Sequence, residues 1–331
     1  MDKTLHRITA SLLLFIASSL LLTASAQSLD NTVFRFLNLP TSARSSALAG
    51  THISLNDADV ALFQQNPAYL HADQHRQFSL SYINHLSDVN VGFFSGAYHI
   101  QGYGTAGVGV RYVNYGQIDK KDELGNQLGT FNATDLALSL GFGRSYSKHF
   151  QYGGSLDLIY SGMDIYQATG IGLSLGALYM RPDESLTIGA SLNHAGYQTS
   201  TYDTRREDLP LNMAVAITKR LTHTPLRIIL MGTKLNEWPR HIATESEDPA
   251  FGEDLMRHLV MGGEFIISSN VFLRLGYNYY KHKQLQTNER LDMAGVSYGI
   301  GITIRDIQFD FSRNSYSKMG ALTQLSIQTS L

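Results

Sequence analysis

Residues 135–144, with the sequence DLALSLGFGR, decide how this chain folds, because a large apolar residue occupies every second position. Three leucines and Phe142 alternate with alanine, serine and glycine. Successive side chains of a β-strand point to opposite faces of the sheet, so this stretch has one apolar face and one face of small residues. The pattern predicts a β-strand whose two faces meet different environments.

The same alternation recurs along the rest of the chain, and it predicts fourteen strands. They cover residues 76–85, 88–99, 104–114, 131–145, 149–161, 168–180, 185–195, 210–221, 225–235, 255–268, 270–280, 290–304, 306–313 and 320–331. An even number of strands is typical of bacterial outer-membrane barrels. The predicted fold is therefore an all-β, fourteen-stranded antiparallel transmembrane barrel.

The connections between the predicted strands alternate in length. Short ones lie around Gln101, Ser147, 181–184, 222–223, Ser269 and Arg305. Clearly longer ones lie at 115–130, 196–209, 236–254 and 281–289. Outer-membrane barrels have short periplasmic turns and longer extracellular loops. The alternation predicts surface-exposed long loops and periplasmic termini.

The composition agrees with a membrane protein built from strands. Charged residues are 16% of the chain, against roughly a quarter in soluble globular proteins. After the N-terminal region, no segment approaches the ~20 continuous apolar residues of a membrane helix. The absence of cysteine excludes disulfides, thiolate metal ligands and a cysteine nucleophile. The net charge of −2 gives no reason to expect a nucleic-acid partner.

A soluble β-sandwich would show the same alternation and is the competing fold. An N-terminal export signal and a face of mostly Gly, Ser and Thr, typical of a lumen, favour the barrel. Tyrosines near predicted strand ends, where a barrel carries aromatic girdles, point the same way. They are Tyr112, Tyr115, Tyr160, Tyr179, Tyr279 and Tyr280.

Three regions follow from these patterns. Residues 1–26 read as a signal peptide with a basic start, an apolar stretch and a small-residue site that predicts cleavage before Gln27. Residues 27–75 read as a periplasmic or plug segment, and residues 76–331 as the barrel. Within the plug segment, Val33 to Leu39 reads as a short strand. Asn56 and Asp57 are candidate N-caps of a helix through Gln65, which Asn66-Pro67-Ala68 would stop.

This segment contains four motifs, namely residues 34–40 (FRFLNLP), Ser42-Ala43-Arg44, residues 47–50 (ALAG) and Gln65-Asn66-Pro67-Ala68. They resemble motifs of the PorV/PorQ family, relatives of FadL-type fourteen-stranded barrels in the type IX secretion system. The residues and spacing of these motifs are closer to those of the PorQ branch than to those of PorV. The family often has Gly-Gly where this chain has Ala49-Gly50. The motifs cover about 35 residues.

The resemblance implies a non-catalytic component of the type IX secretion and cargo-attachment machinery. Such a barrel would hold a PorZ-like surface partner near PorU- and PorV-like components, where cargo is joined to lipopolysaccharide. Exposed aromatic and arginine side chains in long loops are favoured interface anchors. The candidates for partner docking are Trp238, Arg240, Phe251, Tyr202 and Arg205. A tryptophan at the membrane interface is the competing interpretation of Trp238.

The phase of the strands turns five charged residues toward the lumen, namely Arg111, Asp157, Glu264, Arg274 and Asp310. Charges that cannot face lipid belong in a lumen, where opposite signs can pair. A structural network bracing the barrel is favoured over a transport pathway.

Three patterns resemble catalytic or metal sites, but their contexts do not suit the chemistry. Residues 172–176 match G-x-S-x-G, which needs a sharp strand-to-helix turn, yet they lie inside an alternating strand. Residues 145–148 and 315–318 match S-x-x-K without a K-[ST]-G partner. His71 and His75 lie in a polar stretch that is not predicted to be helical. We predict no enzyme activity, metal site or cofactor.

Two functions remain after this reasoning. One is the secretion scaffold, and the other is a FadL-like transporter of hydrophobic small molecules. Fold alone does not choose between them. A transporter needs an apolar pocket facing the lumen, whereas the predicted inner face is small and polar without a cluster of aromatic residues. That difference favours the scaffold.

Overall fold

A computed structural model describes residues 32–50, 52–55, 59–84, 89–122, 124–242, 249–287, 292–316 and 320–330. Within these residues, fourteen antiparallel strands form a closed barrel, and β1 pairs with both β2 and β14. The strands are β1 (Gln77–Asn84), β2 (Asn90–Ile100), β3 (Gly104–Lys121), β4 (Gln127–Ser147), β5 (Phe150–Met163), β6 (Tyr166–Met180), β7 (Leu186–Ser200), β8 (Asn212–Arg220), β9 (Leu226–Gly232), β10 (Leu259–Ser268), β11 (Val271–Asn278), β12 (Val296–Ile304), β13 (Ile307–Ser315) and β14 (Ala321–Ser330). The predicted fold class is confirmed.

The alternation in the sequence separates the two faces of the wall. On β4, Leu136 and Leu140 point outward and are 39% and 47% exposed, whereas Ala137 and Ser139 are fully buried. Every strand carries at least one large, outward-facing apolar side chain. An outer band of this kind is what a barrel presents to lipid.

The even-to-odd connections are short, as predicted, and define the short-turn end of the barrel. The opposite end, here the long-connection end, differs from the predictions in three places. Predicted loop 115–130 is mostly a hairpin, because β3 and β4 stay paired as far as Lys121 and Gln127. Predicted loop 196–209 starts only after Ser200, which is still paired with β6.

The third difference is that two connections contain helices that alternation did not predict. Helix α2 (Phe251–His258) precedes β10, and α3 (Tyr279–Leu285) follows β11. The side chain of Asn278 caps α3 by accepting a hydrogen bond from the Lys281 backbone N–H at 3.0 Å. No helix in the described ranges has both the length and the apolar character needed to cross a membrane.

The described residues between 32 and 75, here called the plug, lie inside the barrel. The predicted strand at Val33 to Leu39 is wrong, because residues Arg35–Asn38 form a 3-10 turn after Phe34 adopts a φ of 55°. Helix α1 (Ala43–Ala47) follows, and the Ser42 side chain caps it.

The remaining plug elements are 3-10 turns at Val60–Gln64, Pro67–Tyr69 and Ala72–Gln74. The predicted caps Asn56 and Asp57 lie outside the described residues. The first of these turns is capped by Asp59, whose carboxylate accepts from the Ala61 backbone N–H at 3.1 Å.

The plug runs through the lumen from end to end. Thr32 pairs with Asp208 in the connection between β7 and β8, at the long-connection end. His75 leads into β1 at the short-turn end, where Gln77 lies opposite Ser330 of β14. The signal peptide lies outside the described residues, and the periplasmic location of the termini stays a prediction.

Small residues on the inner wall make room for the plug. A Cβ on Gly176 would lie 1.9 Å from the Oδ1 atom of Asn66, and one on Gly189 would lie 1.9 Å from the carbonyl oxygen of Ile53. Only glycine permits so close an approach. The small residues of the inner face therefore accommodate the plug and do not line an open channel.

Candidate functional site

A buried ionic cluster joins the plug to the wall in the short-turn half of the lumen. Glu264 on β10 is fully buried and accepts hydrogen bonds from Arg44 at 3.0 and 3.2 Å. It also accepts from Arg227 at 2.7 Å and from Arg274 at 2.8 Å. Arg274 donates in addition to Asp310. We call these five residues the arginine–glutamate cluster.

Strand register explains how the wall residues of the cluster meet. Glu264 lies directly opposite Arg227 on β9 and Arg274 on β11. The strand phase predicted that Glu264, Arg274 and Asp310 face inward. It did not identify Arg227 or Arg44. The inward phase of β9 could have identified Arg227. Only the family resemblance singled out Arg44.

The motif residues of the plug contact the barrel or organise the plug itself. Ser42 caps α1, and the Ala43 backbone N–H donates to the Ser326 hydroxyl at 2.7 Å. Asn66 donates to the Ile53 carbonyl at 2.9 Å and accepts from the Ala68 backbone N–H at 3.0 Å. Pro67 opens the turn that Asn66 caps.

The other two predicted lumenal charges form a separate group. Arg111 donates to the Gln64 carbonyl at 2.7 Å, so it also holds the plug. Asp157 accepts from Ser139 and contacts the His194 imidazole at 3.2 Å. Among the described residues, neither Arg111 nor Asp157 forms a hydrogen bond or ion pair with Glu264, so the predicted network divides into two.

The G-x-S-x-G pattern does not form a nucleophile elbow. Ser174 lies within β6, and its hydroxyl accepts a hydrogen bond from the backbone N–H of His194 at 3.1 Å. The His194 imidazole instead contacts Asp157. The contact between Ser174 and His194 thus involves the main chain, which cannot activate a serine as an imidazole would.

The remaining motifs also have structural surroundings. Ser147 accepts from the backbone of His149 and Phe150 in a tight turn. Ser317 and Lys318 of the second S-x-x-K pattern lie outside the described residues. His71 contacts Asp73 at 3.5 Å, whereas the His75 ring accepts from the His99 backbone. The described ranges contain no group of three side chains suited to a metal ion.

The long-connection half of the lumen contains a packed cluster of apolar residues, and we call this region the apolar chamber. Its residues are Ile83, Val91, Phe93, Val113, Ile159 and Leu322 from the wall, with Phe34, Phe36 and Leu37 from the plug. The expectation of a small, polar inner face without aromatics is therefore wrong in this half. The alternation could not show it, because Phe93 and Phe94 give β2 an apolar residue on both faces.

A chain of hydroxyl and carboxylate groups borders the apolar chamber. The Tyr115 hydroxyl donates to Asp135 at 2.6 Å, and Ser161 donates to the other oxygen of the same carboxylate. The Tyr202 hydroxyl in turn donates to Ser161. Tyr115 and Tyr202 also pack against the apolar chamber.

An apolar recess of about 350 Å³ lies in the wall beside the chamber, at strands β4 to β7. We call it the wall recess. Its lining is Leu136, Leu138, Leu158, Ile159, Tyr160, Thr169, Gly170, Ile171 and Thr199. Ile159 belongs to both the wall recess and the chamber, and a Cβ on Gly170 would lie 2.8 Å from the Phe34 ring. The β6–β7 register also shifts between Thr169 and Gly170, so the strand pairing of the wall is irregular here.

Three of the predicted docking residues come together at the long-connection end. The Trp238 ring stacks on His258 with centroids 4.4 Å apart, and Phe251 lies 6.1 Å away. The Arg240 guanidinium lies 3.6 Å above the Tyr280 ring. Trp238 and Phe251 are 44% and 74% exposed, and burial lowers the pKa of the His258 imidazole.

The other two docking candidates lie in the connection between β7 and β8. Arg205 is exposed there. Tyr202 turns toward the apolar chamber and uses its hydroxyl on Ser161. The expectation that Tyr202 lies on an exposed docking patch is therefore wrong.

Solved structures share this architecture. TodX, a toluene transporter of Pseudomonas putida, superposes with a TM-score of 0.58 at 12% identity, covering 89% of this chain and 99% of its own. The chain has the fold of a FadL-type outer-membrane barrel. The monoaromatic hydrocarbon channel CymD gives a TM-score of 0.55 at 12% identity, covering 90% and 99% of the two chains. A FadL homologue of Pseudomonas aeruginosa gives 0.51 at 12% identity, covering 88% and 98%.

No family model matches the sequence, and no curated protein matches it. The likeness to FadL-type barrels therefore lies in the fold. What this chain binds must be inferred from its own side chains.

Proposed function

We propose that this protein is an outer-membrane transporter of small hydrophobic molecules. The apolar chamber beside the wall recess is the observation that carries the proposal. A hydrophobic molecule gains free energy by leaving water for such a surface, at about 25 cal/mol per Å² of apolar area. Phe93 and Ile159 line the inner side of that region.

The solved structures of similar fold support the same function. TodX and CymD are described as a toluene transporter and a monoaromatic hydrocarbon channel. Both align over nearly their whole length with this chain. A barrel whose lumen contains the apolar chamber suits the same class of molecule.

The plug fills the apolar chamber in this conformation. Phe34, Phe36 and Leu37 occupy the space that a hydrophobic molecule would take. Binding therefore requires these side chains to move, and passage through the barrel requires a further shift of the plug. Smaller side chains at Phe34 and Phe36 should make the chamber easier to enter.

Initial rates of toluene uptake by cells expressing the barrel test the proposal. Wild-type cells should take up toluene faster than cells without the barrel, and Phe34→Ala combined with Phe36→Ala should raise the rate further. Phe93→Asp should lower it roughly tenfold, because a carboxylate without a partner is costly in an apolar site. Leu124→Asp, in an exposed turn, is the matched control. Equal uptake with and without the barrel refutes transport.

A second candidate is the type IX secretion scaffold of the PorV/PorQ family. The exposed Trp238 and Phe251 rings favour it, because aromatic side chains anchor protein interfaces. A PorZ-like protein would dock on this patch near PorU- and PorV-like components and lipopolysaccharide at the cell surface. The barrel would then be integral to the outer membrane, with its long connections facing outward.

Crosslinking in whole cells, followed by purification of the barrel, tests this candidate. Recovery of a surface protein with sortase components, reduced by Phe251→Ala but not by Leu124→Ala, would support the scaffold. A solitary barrel carrying hydrophobic molecules would support transport instead.

A further inference from the structure

A cavity of about 370 Å³ opens at the short-turn end of the barrel, on the side formed by β8 to β14 and β1. Its charged lining is Arg44, Arg220, Arg227, Arg274, Arg305, Glu264 and Asp306. Five arginines therefore face two carboxylates. This cavity, here called the mouth, lies in the half of the barrel opposite the apolar chamber.

The acidic residues do not balance the arginines. Glu264 is shared by Arg44, Arg227 and Arg274, and Asp310 behind the lining neutralises one further charge. Asp306 is then the remaining acidic residue of the lining that can balance the charges of Arg220 and Arg305 at the rim. Among the described residues that line it, the cavity therefore has more arginines than carboxylates.

Strand register concentrates this charge at one point. Arg220 on β8 lies directly opposite Arg227 on β9, and both side chains line the cavity. Like charges placed directly opposite each other on neighbouring strands repel and destabilise a sheet. An anion between the two strands would remove that cost.

The neutral residues of the lining suit an anion as well. Amide and hydroxyl side chains, which can donate hydrogen bonds, surround the arginines. They are Gln77, Gln308, Gln328, Ser269, Thr303 and Thr329. Arginine recognises carboxylate and phosphate oxygens through charge-assisted and often paired hydrogen bonds.

We propose that this mouth is a binding site for a small anion that carries carboxylate or phosphate groups. The volume is near the lower end of the range for small-molecule sites, so the ligand is of modest size. Arg220, Arg227 and Arg305 would contact it, while Glu264 holds the inner arginines in place. The site lies in the half of the barrel opposite the apolar chamber, so this proposal and hydrophobic transport can fail separately.

Isothermal titration of the full-length barrel in neutral detergent, with citrate and with inorganic phosphate, tests the site. At least one anion should bind with a Kd tighter than ~10 mM. The double variant Arg220→Gln with Arg305→Gln should weaken binding roughly a hundredfold, since two charge-assisted hydrogen bonds are lost. Arg181→Gln, at an exposed short turn outside the lining, is the matched control.

A second arm separates a dissolved anion from a lipid headgroup. Mixed micelles with phosphatidylglycerol or phosphatidylcholine would be titrated in the same way. Binding of phosphatidylglycerol that depends on Arg220 and Arg305 would identify a headgroup as the source of the anion. Absence of binding to all anionic probes, or equal binding by the folded double variant, overturns the proposal.

Discussion

Glu264 shows how much one buried side chain can depend on its partners. Three arginines donate to its carboxylate, and two of them come from neighbouring strands while the third comes from the plug. Breaking a buried ion pair by removing one partner is strongly destabilising, because it leaves a charge without compensation. The fold of the barrel and the position of the plug are therefore coupled at this residue.

Replacing one member of the cluster should measure that coupling. We expect Arg274→Leu to destabilise the barrel by about 3–5 kcal/mol, because Glu264 and Asp310 each lose a buried partner. The temperature at which the folded band disappears in SDS gels should fall. Arg181→Leu should have little effect, since its contact with Asp183 is exposed. Unchanged stability with altered permeability to small solutes would indicate a pore lining instead.

The contact between Trp238 and His258 should respond to pH. Because burial lowers the pKa of His258, the folded connection favours the neutral ring. The stabilising contribution is then complete above the unfolded pKa of about 6.5 and is lost as the pH falls through the lower folded pKa.

Trp238 is the single tryptophan of the chain, so its fluorescence reports on this contact. We expect the emission to change below about pH 6.5 and to stay flat in His258→Gln. A transition centred above the ordinary histidine pKa would contradict a lowered value.

At the scale of elements, the plug and the inner wall are shaped for each other. Gly176 on β6 faces Asn66, whereas Gly154 on β5 faces outward and has only ordinary contacts, with Leu175 at 3.5 Å. The same substitution at these two glycines should therefore have different effects.

We expect Gly176→Val to push the turn at Asn66 out of place and to cost about 1–3 kcal/mol, as overpacking does. Limited proteolysis should then cleave the plug faster than in wild type. Gly154→Val is the control and should leave the cleavage rate unchanged. Equal rates in all three proteins would show that the plug is not seated on Gly176.

At the scale of the whole molecule, the plug closes a barrel that would otherwise be open. It passes from Thr32, which pairs with Asp208 at one end, to His75 at the other end, and Arg44 in its middle contacts Glu264. Passage of any solute along the lumen therefore depends on moving the plug.

Removing the contact between Arg44 and Glu264 should let the plug move more often. We expect Arg44→Ala to raise the frequency of open events in planar bilayers, whereas wild type stays mostly closed. Arg76→Ala, which alters an exposed arginine at the end of the same segment, is the control. Identical conductance of Arg44→Ala and wild type would show that the cluster does not hold the plug.

The barrel could be predicted from the amino-acid sequence alone. Period-2 alternation is a local property of each strand, so it identified all fourteen strands and the inward phase of Glu264, Arg274 and Asp310. It could not predict α2 or α3, because short helices in long connections leave no signal in the alternation of the strands.

What fills the barrel depends on contacts between residues that are far apart in the sequence. The contact of Arg44 with Glu264 joins residues 220 positions apart, and no local periodicity encodes such a separation. The same is true of Phe34 in the apolar chamber and of Asn66 against Gly176. The small residues of the inner wall were visible in the sequence, but their purpose became clear only once the plug was seen to lie against them.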